Sequence, residues 1–442
     1  MTDGPQKHII VIGGGLAGTS AAHSLIKRGY AVTIIEKNDR LGGRIHSQIV
    51  DGVAVEMGAG FISNSYSNLL AYLTENGLNT QLRHQRGNSG IFRNGGVRMA
   101  TLRTLMGSSA LSWKAKLQIL PLAIKLLSSL PNLDAHAPWK ADVYDKRSVA
   151  AMFSNNSGIE FMEYVLQPIL NGYFYWKPEE VSEAVLLIIG KAALSHGTHR
   201  LQCGLQRIPE LAAQGSTVLL DHTVKEIHRI GKQYVVTVKH GNKIQEVTSD
   251  GIVCATAASA VPHIFPNLTM QQNEFFKSIQ YSSTALTASV YSPKTVYDNK
   301  SVAFPRKEGI DLAAVTVSSD MGSNSMLSAV KIYASGAIGN ECCTLSDKEL
   351  TTKLTKMTKP IHSVIFNDDS QPLVTHTQRW SEALPVFDVG HFKRLRDFEN
   401  GKIEDARQPI VFAGDYIGGP FMEGAFTSGR NAADRLIARL GR

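Results

Sequence analysis

Apolar residues near the start of the chain follow first a strand pattern and then a helix pattern. Residues 9–12 form a β-branched run bounded by glycine, which is typical of a strand buried on both faces of a parallel sheet. Residues 19–28 predict a helix, and residues 31–35 form a second β-branched run. The order therefore predicts a strand–helix–strand unit.

The rest of the chain alternates between the same two patterns. Helices are predicted over residues 69–75, 112–130, most of 146–194, and 422–440. Strands are predicted over residues 251–256, 278–291 and 410–413, with hairpins over residues 90–99 and 234–247. Ser112 is the predicted N-cap of its helix, which Pro121 should kink or divide, and Ser148 or Ser182 should cap a helix of the long helical region.

Three glycines follow the first predicted strand at positions that suit a bound phosphate. Gly13, Gly15 and Gly18 give G-x-G-x-x-G, which permits a tight turn, a close approach of a pyrophosphate and close helix packing. The next helix directs its positive end at the phosphates. Glu36 ends the second strand about 20 residues further on, where its carboxylate can accept hydrogen bonds from a ribose diol. These features predict a dinucleotide-binding site.

Two further stretches resemble a known family. The sequence DRLGGR at residues 39–44 and the closing stretch at residues 409–440 are similar to those of the flavin-containing amine oxidase superfamily, which includes amine oxidases, protoporphyrinogen oxidases and carotenoid desaturases. The resemblance brackets nearly the whole chain and implies FAD as the cofactor, with Arg44 at the pyrophosphate. The family's covalent flavin requires a cysteine in the closing stretch. Because residues 416–429 contain none, we expect noncovalent FAD.

The resemblance also implies the fold class, and 442 residues are too many for one ordinary core. We expect an α/β fold in which a discontinuous, Rossmann-like FAD-binding domain is joined to an α+β substrate domain and a helical subdomain. The FAD-binding segments are expected at residues 1–75, 201–262 and 396–442. Residues 76–200 should form the substrate/helical domain, and residues 263–395 the sheet part of the substrate domain.

The same resemblance assigns cofactor-binding residues. Residues 58–61 should pass close to the flavin ring, the main chain of Val224 should meet the adenine, and Asp415 should meet a ribitol or phosphate oxygen. The helix start near Met422 should direct free N–H groups at the flavin edge that becomes negative on reduction. The full expected set is Gly13, Gly15, Leu16, Ala17, Gly18, Glu36, Lys37, Gly42, Gly43, Arg44, Gly58, Ala59, Gly60, Phe61, Val224, Trp380, Gly414, Asp415, Met422, Glu423 and Ala425, with no metal.

The middle of the chain departs from the amine oxidases at one position. Those enzymes usually place a lysine on the strand within residues 278–291, where it holds a water against the flavin; Leu286 or Thr287 stands there. The strand and residues 379–391 instead resemble protoporphyrinogen oxidases. Catalytic side chains are not identified: Lys331, on a later strand, is a candidate substitute for the missing lysine. Tyr175 and His391 are further candidates, and His391 has a competing structural interpretation.

Charge and composition limit the kinds of molecule that the protein is expected to bind. The formal net charge is +8, but the basic residues are dispersed, so nucleic acid is not expected. The interval between Glu75 and Asp134 is different, because it contains no acidic residue. Its basic residues are Arg83, Arg86, Arg93, Arg98, Arg103, Lys114, Lys116 and Lys125. Cys203, Cys254, Cys342 and Cys343 have no metal-binding spacing and are expected to be reduced and structural.

Two segments keep alternative interpretations. Residues 112–130 are either a helix packed on the substrate domain or a basic amphipathic surface that contacts anionic lipid or guides an anionic substrate. The aromatic residues 173–176 either belong to the core or form the wall of a site for a flat substrate. Without a signal-peptide pattern or a long apolar run, we expect a cytoplasmic protein, with weak peripheral membrane contact left open.

Three functions follow from these observations. The first is a flavin oxidase that dehydrogenates a ring or a C–N or C–C system of an organic substrate in the manner of protoporphyrinogen oxidase. The second is an amine or amino-acid oxidase, with a carotenoid-type desaturase as a further member of the same superfamily. The third is a non-enzymatic flavin-fold binding protein, which is disfavoured because no element of the cofactor site is lost. Since no second G-x-G-x-x-G suggests a nicotinamide site, the expected acceptor is oxygen, a quinone or another soluble oxidant.

Overall fold

The computed structural model describes residues 6–85, 88–99, 107, 109, 111–134, 137–153, 155–292, 296, 300–319, 327–367 and 371–441. In chain order its strands are β1 His8–Ile12, β2 Ala31–Ile35, β3 Ser47–Val50, β4 Val53–Glu56, β5 Ile62–Ser63, β6 Leu82–His84, β7 Asn88–Arg93, β8 Gly96–Met99, β9 Thr198–Leu201, β10 Thr217–Leu219, β11 Thr223–Ile230, β12 Gln233–His240, β13 Lys243–Ser249, β14 Gly251–Cys254, β15 Thr284–Tyr291, β16 Lys300–Ala303, β17 Leu312–Ser319, β18 Ser328–Ala334, β19 Val374–Trp380 and β20 Ile410–Phe412.

The α-helices are α1 Leu16–Ile26, α2 Ser67–Glu75, α3 Trp113–Lys116, α4 Ile119–Ser129, α5 Asn156–Phe161, α6 Gln167–Phe174, α7 Glu183–Leu194, α8 Arg207–Ala212, α9 Val261–Ile264, α10 Met270–Ser278, α11 Gly339–Thr344, α12 Asp347–Met357, α13 His362–Ile365, α14 His391–Glu399, α15 Asp415–Gly418 and α16 Met422–Leu440. Helices occur in every predicted stretch, as α1 to α7 and α16, with ends that differ by a few residues, whereas α8 to α15 were not predicted.

A five-stranded parallel sheet carries the glycine-rich turn. Its order is β10-β2-β1-β14-β20, so strands from both ends of the chain lie side by side. Ile9, Ile10 and Val11 are fully buried, as expected of a strand covered on both faces. Helices α1 and α16 pack against one of these faces. This arrangement confirms the α/β fold class and the strands predicted at its centre.

A seven-stranded sheet forms the second large layer, in the order β19-β15-β18-β17-β16-β7-β8. The predicted hairpin over residues 90–99 is confirmed as β7 and β8, and it joins this sheet through a parallel pairing with β16. Strand β15 is buried along its whole length. One of its faces packs on the β3–β4 hairpin, and the other lies towards α11 and α12. The alternation of apolar and hydroxyl residues along β15 therefore does not indicate a face that is exposed to solvent.

The helical region comprises α3 to α7 and lies between β8 and β9 in sequence. Ser112 caps α3 by accepting a hydrogen bond from the Ala115 amide, as predicted, and Ser182 caps α7. The predicted division of helix 112–130 occurs, but it falls between α3 and α4, before Pro121.

No helix among the described residues is both long and apolar enough to cross a membrane. Part of the basic interval, including Arg86 and Arg103, lies outside the described residues.

Candidate active site

One cavity of about 1740 Å³ lies where the parallel sheet, the seven-stranded sheet and the helical region meet. Pockets for a single drug-sized ligand usually span about 300–1,000 Å³, so this space suits a cofactor together with a substrate. All the expected cofactor-binding residues line it except Gly18 and Glu423. Residues separated by some 400 positions in sequence, from Gly13 to Ala425, thus contribute to one site.

The glycine turn after β1 leaves main chain open to the cavity. Gly13 has a φ of +98°, and a Cβ there would lie 2.7 Å from the carbonyl oxygen of Ala255. A Cβ on Gly15 would meet nothing within 4 Å, although the residue lines the cavity. The space beside Gly15 is therefore free for a ligand, as a pyrophosphate requires. Gly18 has a packing role instead, because a Cβ there would lie 1.9 Å from the oxygen of Gly13.

Glu36 is held at the same end of the cavity. Its Oε2 accepts a hydrogen bond from the Gly14 amide at 2.7 Å, and its Oε1 accepts one from the Asn38 amide at 2.9 Å. The side-chain amide of Asn38 also donates to Oε1, at 2.5 Å. A carboxylate has about four lone-pair sites, so acceptor capacity remains for one hydroxyl group of a ribose. The glycine turn, the open space and this carboxylate fit the adenosine half of a dinucleotide.

An ion pair joins the two ends of the chain at the cavity wall. The guanidinium of Arg44 contacts Asp415 through two parallel bonds, at 2.7 and 2.8 Å, and also donates to the carbonyl of Ala383 at 3.0 Å. Burial would lower the pKa of Arg44, but the carboxylate of Asp415 outweighs it and the pKa is raised. Arg44 therefore stays ionised and oriented at the place where phosphate oxygens are expected, while Asp415 balances its charge.

The start of α16 presents main-chain N–H groups. The N-cap Phe421 makes no side-chain capping bond, and the carbonyl of Phe421 accepts from the Ala425 amide. Met422 and Ala425 line the cavity, which places the first helical turn beside it. The side chain of Glu423 points elsewhere, because its carboxylate accepts from the amides of Asn68 and Leu69 and so caps α2. Any role of Glu423 at the cofactor is therefore limited to its main chain.

The loop of residues 58–61 crosses the cavity between Arg44 and Trp380. A Cβ on Gly58 would lie 2.0 Å from the oxygen of Arg44 and 3.2 Å from the Trp380 ring, so only glycine fits. The indole of Trp380 donates to the carbonyl of Met57 at 2.8 Å. Just before the loop, burial raises the pKa of Glu56 to about 6, and its carboxylate accepts from Ser47 and from the Leu205 amide.

Lys331 reaches the cavity from a strand next to the expected one. It pairs with Ala288 across β15 and β18, so it lies on the same face of the sheet as Leu286. Its Nζ is 3.4 Å from the carbonyl oxygen of Glu56 and 3.9 Å from the position of a Cβ on Gly60. Of the two predicted lysine-equivalent positions, Leu286 lines the cavity; Thr287 is buried and does not.

Of the aromatic residues 173–176, some line the cavity and one belongs to the core. Tyr173, Phe174 and Tyr175 line the cavity, whereas Trp176 is buried in the core and stacks on Phe174 at 4.5 Å between ring centroids. Tyr175 has a φ of +61°, and burial raises its pKa, which keeps the phenol neutral. Tyr175 can therefore donate a hydrogen bond in the cavity, but it is not a base.

The structure excludes His391 from the cavity. The imidazole is completely buried, and its Nε2 bonds to the carbonyl oxygen of Tyr416 at 3.0 Å. Burial, with a smaller effect from Arg394, lowers the pKa of His391 to about 3. The histidine is neutral and structural, so the hypothesis of an acid or base at this position is wrong.

The described acidic residues that line the cavity are confined to one half, which is also lined by the basic residues Lys37, Arg40 and Arg44. These acids are Glu36, Asp415 and Glu382, and all three belong to the half lined by the cofactor residues. The other half, bounded by β6, β9, α7 and the seven-stranded sheet, carries cationic or basic side chains. These residues are Arg83, His84, His196, Arg200, Lys300 and Lys331, although the ammonium of Lys300 donates to the carbonyl of Val364, which does not line the cavity. The sequence pattern drew attention only to Arg83 and Lys331, because the others come from separate segments.

Known proteins resemble this chain in sequence and in fold. A 135-residue stretch is 33% identical to putrescine oxidase from Kocuria rosea, covering 30% of this chain and 27% of that protein. Protoporphyrinogen oxidase 2 from Arabidopsis thaliana is 23% identical, with 98% of this chain and 94% of that protein covered. The structure of cyclohexylamine oxidase from Brevibacterium oxydans IH-35A superposes with a TM-score of 0.75 at 19% identity, over 99% of this chain and all of that one. The family described as flavin containing amine oxidoreductase matches residues 16–437, and the chain belongs to that family of FAD-dependent oxidases.

Proposed function

We propose that this flavoenzyme dehydrogenates a large, reduced cyclic substrate that carries carboxylates, as a protoporphyrinogen oxidase does. The observation that carries the proposal is the charge of the substrate half of the cavity. Among its described lining residues there are basic side chains and no acids. A protonated amine or a polyamine would be repelled there, whereas a carboxylate-bearing molecule would be attracted.

The chain's own residues would supply binding and orientation. Bound FAD supplies the hydride acceptor, and oxygen or a quinone then takes the electrons. Glu36 and the glycine turn hold the adenosine half, and Arg44 holds the pyrophosphate. The first turn of α16 offers N–H groups to the flavin edge that becomes negative, which is electrostatic stabilisation by preorganised donors. Leu286, Ile169 and the ring of Tyr175 add apolar surface to the lining of the cavity.

An amine or amino-acid oxidase is the second candidate. Lys331 favours it, since its amine reaches the cavity close to the loop of residues 58–61 and can hold a water there. The cationic half also suits the carboxylate of an amino acid. A carotenoid-type desaturase would need neither the Lys331 amine nor the cationic half of the cavity, so the basic lining weighs against this function.

Anaerobic reduction of the flavin distinguishes these substrates. We expect coproporphyrinogen III to bleach the flavin of the purified protein at least tenfold faster than putrescine or phenylalanine at equal concentration, because every charged group of the tetrapyrrole side chains is attracted. Stopped-flow absorbance follows the bleaching. Rapid reduction by the amine or the amino acid, with none by the tetrapyrrole, would move the function to the second candidate.

We further propose that the helical region contacts an anionic membrane. Helices α3 and α4 and the turn that joins them expose large apolar side chains. These are Trp113, Leu117, Leu120, Ile124 and Leu127. They recur every three or four positions and so form one apolar row along the helical segment. Lys114 is also exposed, and residues 76–133 contain no acid to repel lipid phosphates.

The buried side of this segment leads towards the cavity. The Leu126 side chain packs on Gly190 of α7, where a Cβ would lie 3.2 Å away. Ile189, Ala192 and Ala193, on the same helix, line the cavity. A substrate that reaches the protein at the membrane surface would thus arrive close to the cationic half of the site.

Vesicle sedimentation tests the membrane contact. We expect binding to vesicles of mixed phosphatidylcholine and phosphatidylglycerol that weakens with salt, because each basic residue near the surface adds about 1 kcal/mol. Leu120→Asp with Ile124→Asp should abolish it, since both residues lose apolar area and gain negative charge. The matched control is Ile244→Asp, which changes an exposed apolar residue on β13. Equal sedimentation of the parent and the α4 variant would contradict the proposal.

A further inference from the structure

One face of the seven-stranded sheet forms part of the wall of the substrate half of the cavity. Cross-strand pairing places two parallel rows of side chains on this face, because residues two positions apart along a strand point in the same direction. The apolar row, which lines the cavity, consists of Leu286, Tyr333, Ala314, Ala303 and Ile91. The polar row, which also lines the cavity, consists of Lys331, Thr316, Ser301 and Ser89.

The middle of the apolar row is flat. Ala303 pairs with Ala314, and this pair lies between Ile91 and Tyr333 on the neighbouring strands. Adjacent strands are about 4.8 Å apart, so the backbones that carry the two larger side chains are about 14 Å from each other. The alanines between them leave a shallow depression, which fits the flat face of a ring system.

The hydroxyl group of Thr316 lies in the polar row beside this depression and lacks a hydrogen-bond partner. Among the described residues that line the cavity, Oγ1 of Thr316 is the one buried side-chain oxygen or nitrogen without a partner. An unsatisfied buried polar group costs stability, and native proteins contain few of them. Since the Thr316 side chain is on the face of the sheet that lines the cavity, the partner for which the fold leaves room is an atom of a ligand.

A hydroxyl group suits a ring nitrogen that changes its hydrogen-bonding role during oxidation. Dehydrogenation of a ring that contains N–H takes a hydride from a carbon, which bound FAD accepts, and a proton from the nitrogen, which leaves to water. The electron pair of the broken N–H bond becomes part of the double bonds of the ring. The nitrogen thus donates a hydrogen bond before the reaction and accepts one afterwards. A threonine hydroxyl can accept and donate in turn, whereas an ammonium only donates and a carboxylate only accepts.

We propose that Thr316 binds a ring nitrogen of the substrate and that the ring lies flat on Ala303 and Ala314. The inference rests on the proposed function and describes its cyclic substrate more closely, as a flat nitrogen heterocycle. Thr316 sets affinity and specificity, because a site built to form a hydrogen bond with one group rejects analogues that lack this group.

Binding can be measured without any oxidation. Coproporphyrin III, the dehydrogenated form of coproporphyrinogen III, has ring nitrogens with and without hydrogen, whereas pyrenebutyrate is a flat carboxylate with no ring nitrogen. Fluorescence titration of the FAD-loaded protein measures the affinity for each ligand. We expect Thr316→Val, which keeps the shape and loses the hydroxyl group, to weaken coproporphyrin III binding at least tenfold and to leave pyrenebutyrate binding unchanged. Thr316→Ser should retain most of the affinity for both ligands.

The matched control is Thr287→Val. Oγ1 of Thr287 is also buried without a partner, but this residue of β15 does not line the cavity. Both valine variants should unfold at the same or a higher temperature than the parent, because each removes an unsatisfied buried hydroxyl group. Thr287→Val should bind both ligands as the parent does.

Two results would overturn the role of Thr316. One is unchanged coproporphyrin III affinity in Thr316→Val. The other is an equal loss of affinity for both ligands, which would indicate packing and not a hydrogen bond to nitrogen. A parent protein with no saturable coproporphyrin III binding would overturn the whole inference.

Ala303→Leu tests the position of the ring. Ala303 is half-buried and lines the cavity, so a leucine there fills the depression. We expect at least tenfold weaker binding of both flat ligands, with the FAD content of the parent as measured by flavin absorbance. Ala303→Ser adds a single atom and is the control that should keep both affinities. Unchanged binding by the leucine variant would show that the ring lies elsewhere.

The two proposals fail in different ways. If coproporphyrin III binding depends on Thr316 but coproporphyrinogen III does not reduce the flavin, the site stands and the substrate is another nitrogen heterocycle. If coproporphyrinogen III reduces the flavin equally well in the parent and in Thr316→Val, at concentrations below saturation, the proposed function stands and the site is overturned.

Discussion

Glu36→Arg should purify with less than about a tenth of the parent's FAD. The carboxylate is almost fully buried at the cavity wall, where it accepts from the amides of Gly14 and Asn38. A buried donor left without an acceptor costs about 1–3 kcal/mol, and arginine would leave two such donors and bring only donors of its own. The adenosine ribose would also lose its acceptor. Flavin absorbance relative to protein absorbance measures the occupancy.

Two matched variants separate this effect from a general loss of stability. Glu36→Gln keeps one acceptor oxygen and should lose less FAD than Glu36→Arg. Glu246→Arg makes the same change of charge at an exposed position on β13 and should retain full occupancy. Normal FAD content in Glu36→Arg would show that the adenosine lies elsewhere.

The cofactor half of the cavity was predictable because its signals are local. The turn of Gly13 and Gly15 and the carboxylate of Glu36 lie within one strand–helix–strand unit, and their spacing alone brings them together. The parallel strands were recognisable for the same reason, since each is a short apolar run between turn residues. Local patterns did not, however, indicate that Glu423 would turn away to cap α2.

The substrate half was not predictable, because it depends on contacts between distant segments. Arg83 and Arg200 are separated by more than a hundred residues and meet only through the β6–β9 register. Lys331 enters the cavity because β18 lies next to β15, which no periodicity reveals. The apolar residues of α4 were visible in the sequence, but which of them stay exposed is decided by packing against α7.

Charge should decide which substrate the enzyme accepts. Coproporphyrinogen III and its methyl ester share the ring that is oxidised and differ in whether their carboxyl groups carry charge. A hydrogen bond to a charged group contributes about 1.5–3 kcal/mol, so even one lost contact between a carboxylate and a basic side chain of the cavity corresponds to a factor of about ten or more in affinity. The ester should therefore be the poorer reductant of the flavin.

Anaerobic stopped-flow absorbance should compare the acid and its methyl ester over a range of concentrations. If the charge of the cavity selects the substrate, the second-order rate constant for flavin reduction is at least about tenfold larger for the acid, and this advantage shrinks as salt is added. Equal rate constants for the acid and the ester at low salt would contradict this selection by charge.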